Sequence, residues 1–199
     1  PTHAGAVGGR WRLTSLVKEA TTPQIPLTFM EVLYSWGNTW LWDNISMTGV
    51  SDWLHEAIQE GSLVAVTDGS YIREQYPNLY SAAFVFECNK GRGRLIGSFS
   101  ESLMVANAYQ GELLGLMAIH LILLSIDKIN GAVNGSAEIV SDCLGALQCI
   151  TELPPYKIPS HCKHSDILKN VLVNCQWLSF TVHYRQVRAH QDDSTPFKN

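Results

Sequence analysis

Leu63-Val-Ala-Val-Thr-Asp68-Gly69-Ser70 is the stretch on which the fold turns. Its apolar, β-branched run reads as a buried strand, and the carboxylate and small residues that follow are how a strand ends when it delivers a functional group at its tip. Ala137-Glu-Ile-Val-Ser-Asp142 repeats the design, and a period of two puts Val140 and Asp142 on one face. Between them lie two further strand-like runs, Tyr80–Glu87 and Leu95–Ser100. They are joined by Asn89-Lys-Gly-Arg-Gly-Arg94, a hairpin turn that is also the most concentrated basic patch of the chain. Asn107-Ala-Tyr-Gln110 has the form of a capping box. The helix it opens is expected to pass through Glu112 to about Asp127, with Leu116, Ile119 and Leu123 close to the face that carries Glu112. Helices over Cys143–Leu153, stopped by Pro154-Pro155, and over Asp166–Trp177 precede a last alternating strand, Phe180–Ala189, which ends in His190. The order β-β-β-α-β-α-α-β describes an α/β fold with a mixed five-stranded sheet flanked by helices. Three antiparallel strands come first, then strands that return through helices and so run parallel.

The rest of the chain sets bounds on that domain. Its 199 residues are 46% hydrophobic and 16% charged, with a net charge of −4. That balance excludes a disordered chain, and glycine and proline without a repeat exclude a collagen-like one. Net negative charge argues against coating nucleic acid through bulk charge; a nucleic-acid enzyme built this way needs metal ions, a local basic patch or a basic neighbouring domain. The five cysteines are scattered without a CxxC pair, which fits reduced thiols in an intracellular protein, cytoplasmic or nuclear. His161, Cys162, His164 and Cys175 match no zinc-finger spacing and read as loop and helix residues. Leu113–Ile126 is too short to span ~30 Å of hydrocarbon, so no membrane partner is expected.

Residues 1–60 differ in texture from 61–199 and read as a tryptophan-rich appendage, holding five of the six tryptophans. Trp36–Trp42 is expected to form a flap packed on a neighbouring domain. Asp52–Gln59 is a short helix with Ser51 as its N-cap and Gly61 as its stop. Pro1 at one end and a polar run, Asp192–Asn199, at the other mark the chain as a piece of something longer.

Asp68 and Asp142 at the carboxyl ends of neighbouring parallel strands, and Glu112 leaning in from the covering helix, make three acids at the edge where α/β sheets bind ligands. Such carboxylates repel one another and are costly to bury unpaired, and divalent cations relieve the repulsion. Hard oxygen ligands suit Mg²⁺ or Mn²⁺, and a pair of such ions ~3.5–4 Å apart is the clamp used for phosphodiester cleavage.

Val66-Thr-Asp68-Gly-Ser70, Ala108-Tyr-Gln-Gly-Glu112-Leu-Leu-Gly-Leu, Ile139-Val-Ser-Asp142-Cys-Leu-Gly-Ala-Leu and Val187-Arg-Ala-His190 stand in an order and spacing that resembles type 1 ribonuclease H, from about residue 60 to the end. The resemblance is nearest to the ribonuclease H region that follows a reverse transcriptase in retrotransposon polyproteins. It implies a ribonuclease H-like fold and a metal-dependent endonuclease that cuts the RNA strand of RNA–DNA hybrids. It also implies two Mg²⁺ or Mn²⁺ ions, and a reverse transcriptase domain in the same parent chain. Asp68, Glu112 and Asp142 match the family's metal ligands, and His190 its mobile histidine. Gly69 and Ser70 would face the substrate strand. Two departures stand out. Ala108 and Tyr109 replace the amide side chains with which cellular members grip the hybrid. The family's fourth acid lies on a helix after the histidine, so Asp192, Asp193 or a residue beyond Asn199 has to supply it; the expectation is that this final helix is missing and the domain truncated. A non-catalytic module of the same fold, serving as binder or spacer, would lack one of the acids. A transposase or integrase relative would place its last acid on a late helix and lack Glu112.

Overall fold

A computed structural model describes residues 28–104, 106–159 and 162–188, together with the backbone of 2–7 and 10–15. The backbone of β1 (Thr2–Val7) and β2 (Arg10–Ser15) forms an antiparallel hairpin of its own. The main sheet is built on β4 (Leu63–Ser70). On one side β4 pairs antiparallel with β5 (Leu79–Cys88), and β5 with β6 (Arg94–Ser102). On the other side β7 (Ser136–Ser141) and β8 (Thr181–Gln186) run parallel to it. The order and directions are those expected from the sequence, with one addition. A sixth strand, β3 (Asn44–Thr48), pairs antiparallel with β6 and forms the edge.

The central helix α3 (Ala108–Asn130) crosses one face of the sheet. The apolar run Leu113–Ile126, expected as a buried helix, is one: every residue from Gln110 to Ile126 is buried, not just the face that carries Leu116, Ile119 and Leu123. The reason is tertiary: the sheet lies below, while α1 (Phe29–Ser35), α2 (Asp52–Gln59) and α5 (Ser165–Trp177) pack around the rest of its circumference. The start is as expected in part. The Asn107 side chain accepts from the Gln110 amide at 3.1 Å, yet Gln110 does not close the box, and its Oε1 is buried without a partner among the described residues. Gly131, at φ +74°, ends the helix. Ser51 precedes α2 without a capping hydrogen bond, a correction to its expected role, while Gly61 at φ +65° stops that helix as expected. Between β7 and β8 the chain forms α4 (Leu144–Glu152), a short 3-10 turn at Pro155–Lys157, and α5.

Trp36–Trp42, expected as a flap on a neighbouring domain, packs on this sheet's own core. Trp42 and Trp53 are buried with Phe84, Phe86 and Leu54 in the same apolar cluster. Trp40 stands edge-on to Phe99 at 5.2 Å, and the Trp36 indole donates to Ser125 Oγ at 2.9 Å. The Thr28 hydroxyl and the Glu31 carboxylate cap α1 reciprocally.

The opposite face of the sheet has a different texture. Register places Val64, Val66, Val85 and Ile96 there, with Val66 and Ile96 both exposed. The basic hairpin lies at the end where β4 begins, and its cations are spoken for. Lys90 pairs with Glu60, Arg92 with Glu56 and Glu60, and Arg94 with Glu87. No helix of the described residues is long and apolar enough to cross a membrane.

One polar chain runs through the core between α3, β8 and α5. His120 Nδ1–H donates to the Leu116 carbonyl at 2.7 Å, its Nε2 accepts from the Tyr184 hydroxyl at 2.8 Å, and that oxygen meets Cys175 Sγ at 3.0 Å. Each group has a partner, so the chain is tolerated where a lone imidazole would not be. Burial lowers the His120 pKa to about 4, which keeps the ring neutral, and raises the Cys175 thiol to about 11. The folded state therefore takes up a proton at His120 less readily than the unfolded chain. Stability that is full above pH 6.5 is lost as pH falls toward 4, to a total of roughly 3 kcal/mol. Urea midpoints at pH 7.5 and 4.5 should fall further in the wild type than in His120→Leu; equal falls would remove His120 from the acid response.

Candidate metal centre

The three expected acids meet. Asp68 lies near the carboxyl end of β4, on the face turned away from α3, and Asp142 follows the last residue of β7 in the same orientation. Glu112 comes down onto them from the beginning of α3. Carboxylate oxygens of Asp68, Glu112 and Asp142 all lie within 4.8 Å of one another.

Glu112 is the buried member, 7% exposed. Its Oε1 accepts from the Gly69 N–H at 2.7 Å, while Oε2 is buried with no hydrogen-bond partner among the described residues. Burial first, and then the charges of Asp142 and Asp68, raise its pKa to about 7 against the pull of the Gly69 hydrogen bond. The position depends on two glycines. A Cβ at Gly69 would lie 2.6 Å from the Glu112 backbone nitrogen, and one at Gly111 would lie 2.8 Å from the Ser81 carbonyl oxygen. Any other residue at either place would lift the helix off the strand. Cys143 sits beside the acids; burial, then Glu112 and Asp142, push its thiol up and keep it protonated.

An orphaned buried carboxylate oxygen facing two further carboxylates fits a hard divalent cation. It supplies oxygen donors only and carries excess negative charge that a cation would neutralise. Mg²⁺ or Mn²⁺ matches that donor set, and Asp68, Glu112 and Asp142 are the residues that would hold it.

Of the other expected residues, Gly69 gives its N–H to Glu112, and Ser70 is exposed at the strand end. Ser70 and Asp68 line a cavity of about 350 Å³ together with Asn44, Ser81, Ser98 and Ser100. Sequence reading did not single out those last four. The alternation Ser98-Phe-Ser100 was visible, but which face the serines take depends on the register of β6 with β5. His190, Asp192 and Asp193 lie outside the described residues, and so does His161. Cys175 and His164 are engaged separately, with Tyr184 and Asn107.

Because the folded pKa of Glu112 is raised above its ordinary 4.5, its ionisation costs stability. Without cations, stability is lost as pH rises from about 4.5 to about 7. Glu112→Gln keeps an acceptor for Gly69 and removes the charge. It should therefore be more stable than wild type at pH 8 in chelator, by on the order of 1–2 kcal/mol, since solvent screens part of the effect. Adding Mg²⁺ or Mn²⁺ should raise the wild-type Tm and leave the variant's unmoved. A wild type less affected by pH than the variant would contradict this electrostatic picture.

No family model matches the sequence, and no curated protein matches it. Among solved structures the chain is similar to the N-terminal RNase H domain of a Mycobacterium tuberculosis protein, at 14% identity over 66% of this chain and 85% of that one, with a TM-score of 0.46. It is also similar to RNase H1 of the archaeon Halobacterium salinarum, at 14% identity over 66% and 89%, with a TM-score of 0.41. A third is the protease–reverse transcriptase of prototype foamy virus, at 18% identity over 70% and 19%, with a TM-score of 0.46.

Proposed function

We propose that this chain is a ribonuclease H-type endonuclease, dependent on Mg²⁺ or Mn²⁺, that hydrolyses the RNA strand of RNA–DNA hybrids and serves a reverse-transcribing element beside a reverse transcriptase domain. The observation that carries the reading is the meeting of Asp68, Glu112 and Asp142 within 4.8 Å around a buried, unpartnered carboxylate oxygen. Further support comes from the three motifs quoted above that carry these acids, whose order matches the strand and helix positions at which Asp68, Glu112 and Asp142 stand.

The residues divide the work by position. Asp68 and Asp142, at two strand ends on one face, form a rigid floor, and Glu112 closes the third side from the helix. Asp68, Glu112 and Asp142 would hold the divalent ions, which when bound would acidify a water and offset charge on a departing 3′ oxygen. Gly69 holds Glu112 in place through its N–H. The exposed Ser70 hydroxyl, with Ser81, Ser98, Ser100 and Asn44 along the adjoining cavity, offers uncharged donors and acceptors to a sugar–phosphate strand. Hydroxyl contacts of this kind can tell ribose from deoxyribose through the 2′-OH. His190 is proposed to aid proton transfer or product release, and Asp192 or Asp193 is a candidate fourth acid.

The test is cleavage of a hybrid labelled on either strand, in Mg²⁺ and in Mn²⁺, beside single-stranded RNA and duplex DNA. Only the RNA strand of the hybrid should be cut. Asp68→Asn and Glu112→Gln should each reduce the rate by about a hundredfold or more, the scale of losing one electrostatic stabiliser of the transition state. Hybrid binding without cleavage in either metal would replace the nuclease with the non-catalytic binding module. Cleavage that survives Asp68→Asn would move the chemistry elsewhere.

A further inference from the structure

His164 breaks a local rule. Among the described residues it is the only non-glycine with positive φ, at φ 57° and ψ 33°, a left-handed conformation that L residues adopt at a cost. It stands at the N-cap position of α5, yet its side chain makes no cap to that helix. Ser, Asp, Asn or Gly would serve that place better. The imidazole reaches instead across the fold to the start of α3, where its Nε2 lies 2.9 Å from Asn107 Nδ2.

The roles of the atoms follow from bookkeeping at Asn107. Its Oδ1 is occupied by the Gln110 N–H, so its amide nitrogen faces His164 and donates. His164 Nε2 therefore accepts, and the ring carries its proton on Nδ1. One asparagine side chain thus closes the first turn of α3 with one end and ties that turn to α5 with the other. The Tyr109 ring lies beside the imidazole, tilted by 45° with centroids 6.3 Å apart. Glu112 lies just over one helical turn further along α3, and its Oε1 must reach the Gly69 N–H. A helix terminus free to fray would carry Glu112 with it.

We propose that His164 is a positioning residue for Glu112: by accepting from the Asn107 amide it locks the first turn of α3 where Glu112 is presented to a bound divalent cation. The inference rests on the cation reading above, and its structural half can be tested without a cation.

His164→Gly is the informative variant, because it removes the acceptor and relieves the left-handed backbone at the same time. Its Tm should equal or exceed that of wild type. Amide exchange at Gly69 and Gln110, read by NMR on the full 199-residue chain in chelator, should nonetheless speed up at least about tenfold. Calorimetric titration with Mn²⁺ should show affinity weakened by about the same factor, and hybrid cleavage a lower kcat with unchanged KM. Asn107→Ser keeps a cap but loses the tie, so it should match His164→Gly, and the double variant should be no worse than either single one. Unchanged exchange at Gly69 together with wild-type Mn²⁺ affinity would overturn the proposal, as would additive effects in the double variant. Faster exchange in His164→Gly with no Mn²⁺ binding even by wild type would keep the lock and overturn the cation reading.

Discussion

The hydrogen bond from the Gly69 N–H to Glu112 is the contact on which the site depends. It exists because α3 comes closer to the tip of β4 than side chains normally allow, with no Cβ at Gly69 or Gly111 to hold the helix away. The same approach strips water from Glu112 and sets it beside Asp68 and Asp142, so the packing that positions the carboxylate also makes its charge costly. A hydrophobic core alone would not choose this arrangement. Most of α3 is apolar and buried on all sides, and the acid at its beginning is a place where burial works against the charge the side chain carries. Strongly perturbed carboxylates of this kind cluster at functional sites.

Charge elsewhere follows a consistent plan. The chain is acidic overall, and the arginines and lysine of the one basic hairpin are tied to Glu56, Glu60 and Glu87 at the far end of the sheet. They present no phosphate-binding stripe near the acids. Next to the acids the surface is lined instead by serines and an asparagine. Under the proposed reading, attraction for a nucleic-acid strand comes from cations held by the carboxylates, and the hydroxyls position the strand without adding charge.

What the sequence disclosed and what it hid divide along physical lines. Asp68, Glu112 and Asp142 were legible because each stands at an element boundary with its own local signal: a strand end, a helix beginning, a second strand end. The β3 edge was not. Asn44-Ile-Ser-Met-Thr48 is short and mostly polar, and becomes a strand through its pairing with β6. The destination of the tryptophans was hidden for a related reason. Aromatic clusters seek a large apolar surface, and composition does not say whether that surface belongs to the same sheet or another domain. The apolar run Leu113–Ile126 marked α3 as buried, but it could not say that α1, α2 and α5 are what cover it. His164 is the extreme case, since neither its left-handed backbone nor its reach to Asn107 leaves any trace in a loop sequence.

The buried chain His120–Tyr184–Cys175 acquires a purpose once the acids are taken as a mechanical problem. Three carboxylates in one place push apart the elements that carry them, α3 on one side and β4 with β7 on the other. Gly69 ties α3 to β4 at the tip of the sheet. Tyr184 stands on β8 opposite Ile139 of β7, and its hydroxyl ties β8 to His120 in the middle of α3. The helix bearing Glu112 is therefore referenced to the strand bearing Asp142 by two routes, one at the acids and one in the core. A polar link suits the second route better than another leucine contact would. Apolar side chains slide against each other at small cost, whereas a buried hydrogen bond has one geometry and no water to replace its partner. The link fixes the middle of α3 against β8, and through the β7–β8 ladder against the strand whose end carries Asp142.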